Sequence, residues 1–328
     1  MKVAVLMGGS SLEREFSLAS GKQVCEALEE AGHKVITLDT TGDLVPTLRS
    51  ERPDVCYSAL HGKHGEDGTI QSLLEFLDIP FVGSAASVCR KTWNKAFLPS
   101  VLNGYRDIEH ASNDAAWPRG ICIARDAFKD MGAATALDLV EQRIPGGFPF
   151  AVKPACGGSA MGVHRVEKVE DLGEAILDAL SYDAEVIIEQ WIEGVELAVS
   201  ILGEGWDAHA LPPVEIVPRN GLYNTKARMM NDGVELFTPV RPESLSPNEV
   251  TAQAIRAEIE RAALEVYRAY DIRDLGRVDL VWDGAQARVL EVDVSPGMTE
   301  MSLFPAACSA AGFPLPMVFD SLVSKYEC

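Results

Sequence analysis

The stretch GRVDLVWDGAQARVLEVDVSPGMTEMSL, residues 276–303, decides how the chain is read. Residues 276–282 and 287–292 read as two strands joined by the turn pair Asp283-Gly284. Residues two apart on a strand share a face, so Arg277 and Asp279 lie together, as do Glu291 and Asp293 on the neighbouring strand. If the hairpin pairs them, three carboxylates converge beside an arginine, which is destabilising unless a cation sits among them. Oxygen ligands without His or Cys select a hard ion, so Asp279, Glu291 and Asp293 are expected to hold Mg²⁺ or Mn²⁺. The plain alternative is strand alternation with the acids facing water. The turn Ser295-Pro296-Gly297-Met298 follows at once and offers backbone donors suited to an anion.

Towards the N-terminus, residues 3–7, 34–38 and 54–58 read as strands, and residues 17–31 and 68–77 as helices. Strands alternating with helices imply a parallel, doubly wound sheet. The pattern changes from Asn94, where residues 148–153 and 162–166 read as a hairpin around a glycine-rich turn and residues 169–180 as a helix. Residues 104–119 have weak periodicity and read as an irregular insertion. Strands follow at 186–190, 196–201 and 213–217, then a polar break over 219–234. Ser246-Pro247-Asn248-Glu249 reads as a capping box that starts a helix running to about Tyr270.

Several motifs carry candidate chemistry. Gly8-Gly9-Ser10-Ser11 stands between a strand and a helix, where backbone amides can approach a ligand, although its spacing is not that of a dinucleotide site. Glu13 and Glu15 lie just beyond it, as site residues or as solvated caps. LHGKHGEDG, residues 60–68, follows a strand end and sets ionisable groups among glycines. That composition suits a pocket, with His61 and Glu66 as candidate substrate contacts, or else a polar surface loop. FAVKPACGGSAMGV, residues 150–163, puts Lys153 inside an apolar strand before a turn whose amides could fold over phosphates. A buried ammonium there needs an anion, unless the side chain snorkels to water. Glu189 and Glu196 stand at the ends of apolar runs, where an acid either accepts hydrogen bonds from a ligand or faces solvent.

The chain of 328 residues carries 49 carboxylates against 29 Lys plus Arg, a formal charge of −20. That balance disfavours nucleic acid and anionic membrane surfaces as partners. No window supplies the roughly 20 consecutive apolar residues of a membrane helix, and no signal-peptide core is evident, so the cytoplasm is the expected location. Seven dispersed cysteines without a C-x-x-C pair read as reduced, mostly packing thiols.

Taken together, GGSSLEREFSLASG, LHGKHGEDGTIQSLLEFLDIPFVGS, AVKPACGGSAMGVHRV, IEQWIEGVELAVSIL and GRVDLVW…LEVDVSPGMTEMSLFP resemble the D-alanine–D-alanine ligases of the ATP-grasp superfamily. The resemblance spans nearly the whole chain. It implies an N-terminal α/β domain (1–93), a central ATP-grasp domain (94–185) and a C-terminal ATP-grasp domain (186–328), an α/β and α+β architecture with ATP between the last two. It further implies that Lys95 and Lys153 meet the nucleotide phosphates, that Glu189 and Glu196 lie near the adenosine, and that Asp279, Glu291 and Asp293 hold magnesium. Arg277 and the Gly297 backbone would stabilise an oxyanion. Glu15 and Ser159 would hold the first substrate with His61 nearby, and Ser302 and Leu303 would lie near the second. A homodimer acting in peptidoglycan precursor synthesis is the corresponding expectation.

The chain departs from the family pattern in the loop that closes on the site, here Leu222-Tyr223-Asn224-Thr225-Lys226-Ala227-Arg228-Met229. Arg228 keeps a cation at a lysine position and remains a candidate nucleotide ligand. Met229 replaces a tyrosine, and a thioether cannot donate that residue's hydrogen bond. Asp293 stands where asparagine is usual. These departures leave D-lactate or another D-amino acid as alternative second substrates, and a catalytically silent nucleotide-binding homologue as an alternative of another class. A nicotinamide oxidoreductase is disfavoured by the glycine spacing.

Overall fold

In the computed structural model of the protein, residues 1–40, 42–109, 114–144, 146–219 and 233–327 are described. The first sheet is formed by β1 (Lys2–Met7), β2 (Lys34–Asp39), β3 (Val55–Ser58) and β4 (Phe81–Val82), all parallel, in the order β2-β1-β3-β4. The near-continuous apolar run of β1 fits a strand covered on both faces. Val3 and Val5 pack on one side with Val24 and Leu28 of the helix Arg14–Glu30 and Phe319 of the last helix, Leu315–Ser324. Ala4 and Leu6 pack on the other with Leu44, Leu48, Ile70 and Leu74. This is the doubly wound unit expected from the sequence.

After the helix Leu98–Glu109 comes the short β5 (Ala115–Ala116), which pairs in parallel with a distant strand. β6 (Gly120–Ala124), β7 (Phe150–Pro154), β8 (His164–Val166) and β9 (Glu185–Gln190) form an antiparallel sheet in the order β6-β9-β7-β8. The third sheet takes β10 (Val195–Leu202), β11 (His209–Ala210), β12 (Val214–Pro218), β13 (Val234–Phe237), β14 (Leu275–Trp282) and β15 (Ala287–Asp293). Its order is β13-β12-β10-β14-β15-β5, with β11 on β10. The helix Glu249–Ala269 covers one face through Ile259, Ala262, Ala263, Val266 and Tyr267, which meet Val278, Leu280 and Trp282 of β14. Alternation along β14 therefore turns Arg277, Asp279 and Val281 to the opposite face.

Three expectations are corrected. The boundary at residue 186 falls inside the second sheet, because β9 pairs with β6 and β7 and so completes that sheet. The helix that follows Ser246 begins at Glu249 with Asn248 as its cap, the Asn248 Oδ1 accepting from the Thr251 amide at 3.0 Å. Residues 104–119 are not wholly irregular: their first part continues the helix Leu98–Glu109, and Ala115–Ala116 extends the third sheet. The organising contact is polar, which periodicity does not detect. Glu265, 4% exposed, accepts from Arg106 Nε at 2.6 Å and from the Ala115 amide at 2.9 Å.

Removing the carboxylate leaves a largely buried guanidinium and an amide without their acceptor. Glu265→Ala is expected to cost about 3 kcal/mol of unfolding free energy in a denaturant titration. A loss under about 0.5 kcal/mol, the ordinary value for a surface site, would remove the pair from its anchoring role.

Candidate active site

The hairpin read from the sequence does pair, with Arg277 opposite Asp293 and Asp279 opposite Glu291 and an irregularity after Asp279. Arg277 is 5% exposed. Its Nε and second terminal nitrogen donate to the two oxygens of Asp279 at 2.6 and 2.8 Å, and its remaining nitrogen meets Asp293 Oδ2 at 2.9 Å. Burial opposes the charge, but the two aspartates outweigh it and hold the guanidinium well above its ordinary pKa. The other Asp293 oxygen accepts from the Ser295 amide at 2.8 Å. Glu291 lies 3.4 Å from Lys95 Nζ, which also donates to the Gly157 carbonyl at 2.5 Å. The acids expected to share a cation thus face an arginine and a lysine. Among the described residues no group of three or more His, Cys, Asp or Glu side chains is placed to hold a metal ion by itself.

Two cavities open on this hairpin. The larger, about 550 Å³, lies between the second and third sheets. Lys153 projects into it from β7 and pairs with Glu189 of β9 at 2.6 Å, with the Leu290 carbonyl 3.3 Å away. This is the anionic partner that a lysine in an apolar strand requires. Glu196 of β10 lines the same space. Glu215, which the sequence reading passed over, joins it from β12 and is held by Arg241 at 2.7 and 3.0 Å and by Ser244 at 2.7 Å. Burial raises the Glu215 pKa, but those hydrogen bonds prevail and set it below the ordinary range. An acid inside the apolar run VEIV was the available signal, the same that marked Glu189.

The smaller cavity, about 70 Å³, lies between the first sheet's loops and the hairpin. His61 is buried at its back, with Nε2 3.1 Å from Ser20 Oγ and Nδ1 3.3 Å from Glu66 Oε1. Burial lowers the imidazole pKa despite the pull of Asp293 and Glu13. Burial, with the charge of Asp293, raises Glu66 to about 8. Gly297 faces this cavity and needs its bare backbone, since a Cβ there would stand 2.5 Å from Phe16 Cζ and 2.8 Å from Ser302 Oγ. Phe16 in turn packs against His61, ring centres 4.7 Å apart and planes tilted by 45°. Ser302, which accepts from the Thr299 amide at 3.1 Å, and Leu303 complete this wall.

One expected residue is replaced by a neighbour. Glu15 is exposed on the first turn of the helix Arg14–Glu30, whereas Glu13 is buried and lines the cavity. Successive helical residues turn by about 100°, so two acids two apart point in nearly opposite directions. Ser159, itself at φ 52°, donates from Oγ to Glu13 Oε1. Glu13 Oε2 is buried with no hydrogen-bond partner among the described residues. Gly62 (φ 73°) approaches that oxygen so closely that a Cβ would stand 2.4 Å away. Burial, then the charge of Glu66, raises Glu13 to about 7, against the opposing hydrogen bond from Ser159. Lys95, Gly157, Gly158 and Glu291 line both cavities and form the seam between them. Arg228 and the rest of residues 222–229 lie outside the described residues.

Residues 123–324 match the family described as D-ala D-ala ligase C-terminus, and residues 44–84 match D-ala D-ala ligase N-terminus. The chain is 35% identical over 323 residues to a D-alanine–D-alanine ligase of Desulforudis audaxviator, covering 98% of this chain and 97% of that one. A D-alanine–D-alanine ligase of Aquifex aeolicus is 34% identical, with 99% of each chain covered. Among solved structures, a D-alanine–D-alanine ligase of Bacillus anthracis complexed with ATP superposes with a TM-score of 0.76 at 25% identity, covering 99% of this chain and 97% of that one. A D-Ala:D-Ser ligase of Enterococcus faecalis shares the fold, with a TM-score of 0.78 at 24% identity and 99% of each chain covered. With both halves matched and relatives similar from end to end, the chain belongs to the D-alanine–D-alanine ligase family.

Proposed function

We propose that the protein joins two D-alanines into D-alanyl-D-alanine at the expense of ATP, in peptidoglycan precursor synthesis. The observation that carries this reading is the buried carboxyl of Glu13 lining, with Arg277, a small cavity that shares a seam with a nucleotide-sized one. An acid and an arginine set across so small a space suit a small amino acid, with its ammonium towards Glu13. ATP fits the larger cavity, its phosphates towards Lys153, Lys95 and the amides of Gly157 and Gly158. The oxygen donors at the seam also fit a magnesium or manganese ion. Such ions are held by one or two carboxylates together with phosphate oxygens, a role open to Asp279 and Glu291 without a protein-only cage. When bound, that ion would supply charge neutralisation on the phosphates.

The first D-alanine would sit with its ammonium on Glu13 and its carboxylate at the seam. A carboxylate oxygen attacks the γ-phosphorus, the bond to the bridging oxygen breaks, and ADP leaves with that electron pair. Lys95 and Lys153 spread the charge of the transferring group. The amine of the second D-alanine then attacks the acyl carbon. Arg277 and the Gly297 amide stabilise the oxyanion, and phosphate departs with the C–O electron pair and takes up the surplus proton of the new amide. Ser302 and Leu303 would border the second substrate. Water must be excluded throughout, because it would hydrolyse the acyl phosphate. A homodimer in the cytoplasm completes the proposal; among the described residues no single helix is long and apolar enough to cross a membrane.

Purified protein given ATP, Mg²⁺ and D-alanine alone is expected to release ADP and phosphate in equal amounts with one dipeptide per ADP. ADP release without dipeptide, or none, would refute the reading. Glu13→Gln is expected to lower kcat/KM for D-alanine about 100-fold, the cost of an unanswered ammonium, while Glu15→Gln stays within about twofold of wild type. The reverse ranking would return the role to Glu15. The pKa of Glu13 is about 7 in the folded chain against an ordinary 4.5, so the folded state binds the extra proton between those values. Stability contributed by that site falls as pH rises from 4.5 to 7 and is level above. Melting curves of Glu13→Gln should show a shallower decline over that window than wild type, and parallel curves would contradict the assignment.

A further inference from the structure

Asp274 takes no part in the chemistry above, yet it is 1% exposed and sits at φ 66°, in the left-handed region. Aspartate tolerates that region better than most residues, but glycine occupies it at less cost. Its carboxylate is fully engaged. Oδ2 accepts from the Gly83 amide at 2.8 Å and from the Tyr326 hydroxyl at 2.7 Å, and Oδ1 meets the Lys325 ammonium at 3.0 Å. The Asp274 carbonyl accepts from the Gly203 amide at 2.9 Å. Beside it, Arg273 donates from Nε to the Gly83 carbonyl at 2.5 Å and lies 5.1 Å from the Phe81 ring centre.

These partners come from separate parts of the fold. Gly83 directly follows β4, the edge of the first sheet, and Lys325 and Tyr326 follow the last helix, which packs against that sheet. Asp274 leads directly into β14, three residues before Arg277. The small cavity is assembled from the same two parts, with Glu13, His61 and Glu66 from the first sheet's loops and Arg277 and Asp293 from the hairpin. The larger cavity has no residue before Lys95 among its described lining. It takes Asp279 and Val281 from β14 but, among the described residues, nothing from the first sheet, so a bond network between β14 and that sheet sets the spacing of opposite walls in the small cavity alone.

We propose that Asp274 is a positioning residue for the amino-acid subsite. It is a buried clasp that fixes the strand carrying Arg277 to the sheet whose loops carry Glu13 and His61, which keeps the two walls of the small cavity at working distance. The inference rests on reading that cavity as the subsite for the first D-alanine.

Two variants of the full-length chain separate the carboxylate from the backbone. Asp274→Gly removes the carboxylate and relieves the left-handed backbone; Asp274→Asn keeps an acceptor for Gly83 but no charge for Lys325. In steady-state ADP release, Asp274→Gly is expected to raise KM for D-alanine about tenfold, leave KM for ATP within about twofold, and be partly rescued in Asp274→Asn. A KM for D-alanine that does not move, or both KM values rising together, would overturn the proposal. Amide hydrogen exchange supplies a readout free of turnover: exchange over residues 59–66 and 81–84 should quicken in Asp274→Gly while residues 185–190 exchange as in wild type. Unchanged exchange at 59–66 would overturn the clasp. Wild-type protein that makes no dipeptide would sink the ligase reading and leave the exchange result standing on its own. If Asp274→Gly does not fold, Tyr326→Phe removes one of the bonds, with an expected two- to threefold rise, about that of one hydrogen bond, in KM for D-alanine alone. No rise there would likewise overturn it.

Discussion

A guanidinium taken out of water between two paired strands is costly unless its charge is met where it sits. Arg277 is met twice, by Asp279 on its own strand and by Asp293 directly across the pair. The register of β14 on β15 is bound to this arrangement, because a slip of one residue would turn Arg277 into the packed face of Val278 and Leu280 and strand both acids. From that register follows the rest of the site. Glu291 comes opposite Asp279 and within reach of Lys95, and the turn after Asp293 presents Gly297 to the small cavity.

The arrangement also answers the problem of an acidic chain that handles an anion. A formal charge of −20 would repel ATP if it were spread evenly. Instead, Lys95, Lys153 and Arg277 are all buried or nearly so, each beside a carboxylate that compensates it. The two cavities then divide the labour. On the proposed reading the larger takes the nucleotide between the second and third sheets, and the smaller takes the amino acid against the parallel sheet. Lys95, Gly157, Gly158 and Glu291 belong to both, which is where a group passing from one ligand to the other must travel.

Much of this was legible in the sequence, for identifiable reasons. Strands with a clear period or a buried acid, such as β7, β9, β14 and β15, fell within two residues of their expected positions, and the facing of Arg277, Asp279, Glu291 and Asp293 followed from alternation alone. Other features were hidden. Glu13 and Glu15 are chemically alike, and only the helix phase, set by packing, shows which one faces the cavity. β9 was expected to open a new unit because its place in the chain says nothing of its partners, β6 and β7. Residues 104–109 continue a helix and Ala115–Ala116 extend a sheet, and the buried pair of Arg106 with Glu265 that ties them together is polar, so periodicity does not detect it. That Asp279 and Asp293 would face Arg277, and Glu291 would face Lys95 from a distant part of the chain, was only partly legible, because Lys95 is brought to the hairpin by the fold.

The central claim is that the carboxylate of one D-alanine is phosphorylated at the seam and loses that oxygen when the second amine attacks. D-alanine labelled with oxygen-18 in its carboxylate, turned over with unlabelled ATP, tests it directly by mass spectrometry of the products. The account requires one labelled oxygen in each inorganic phosphate released. Phosphate free of label, or label carried into AMP, would contradict it.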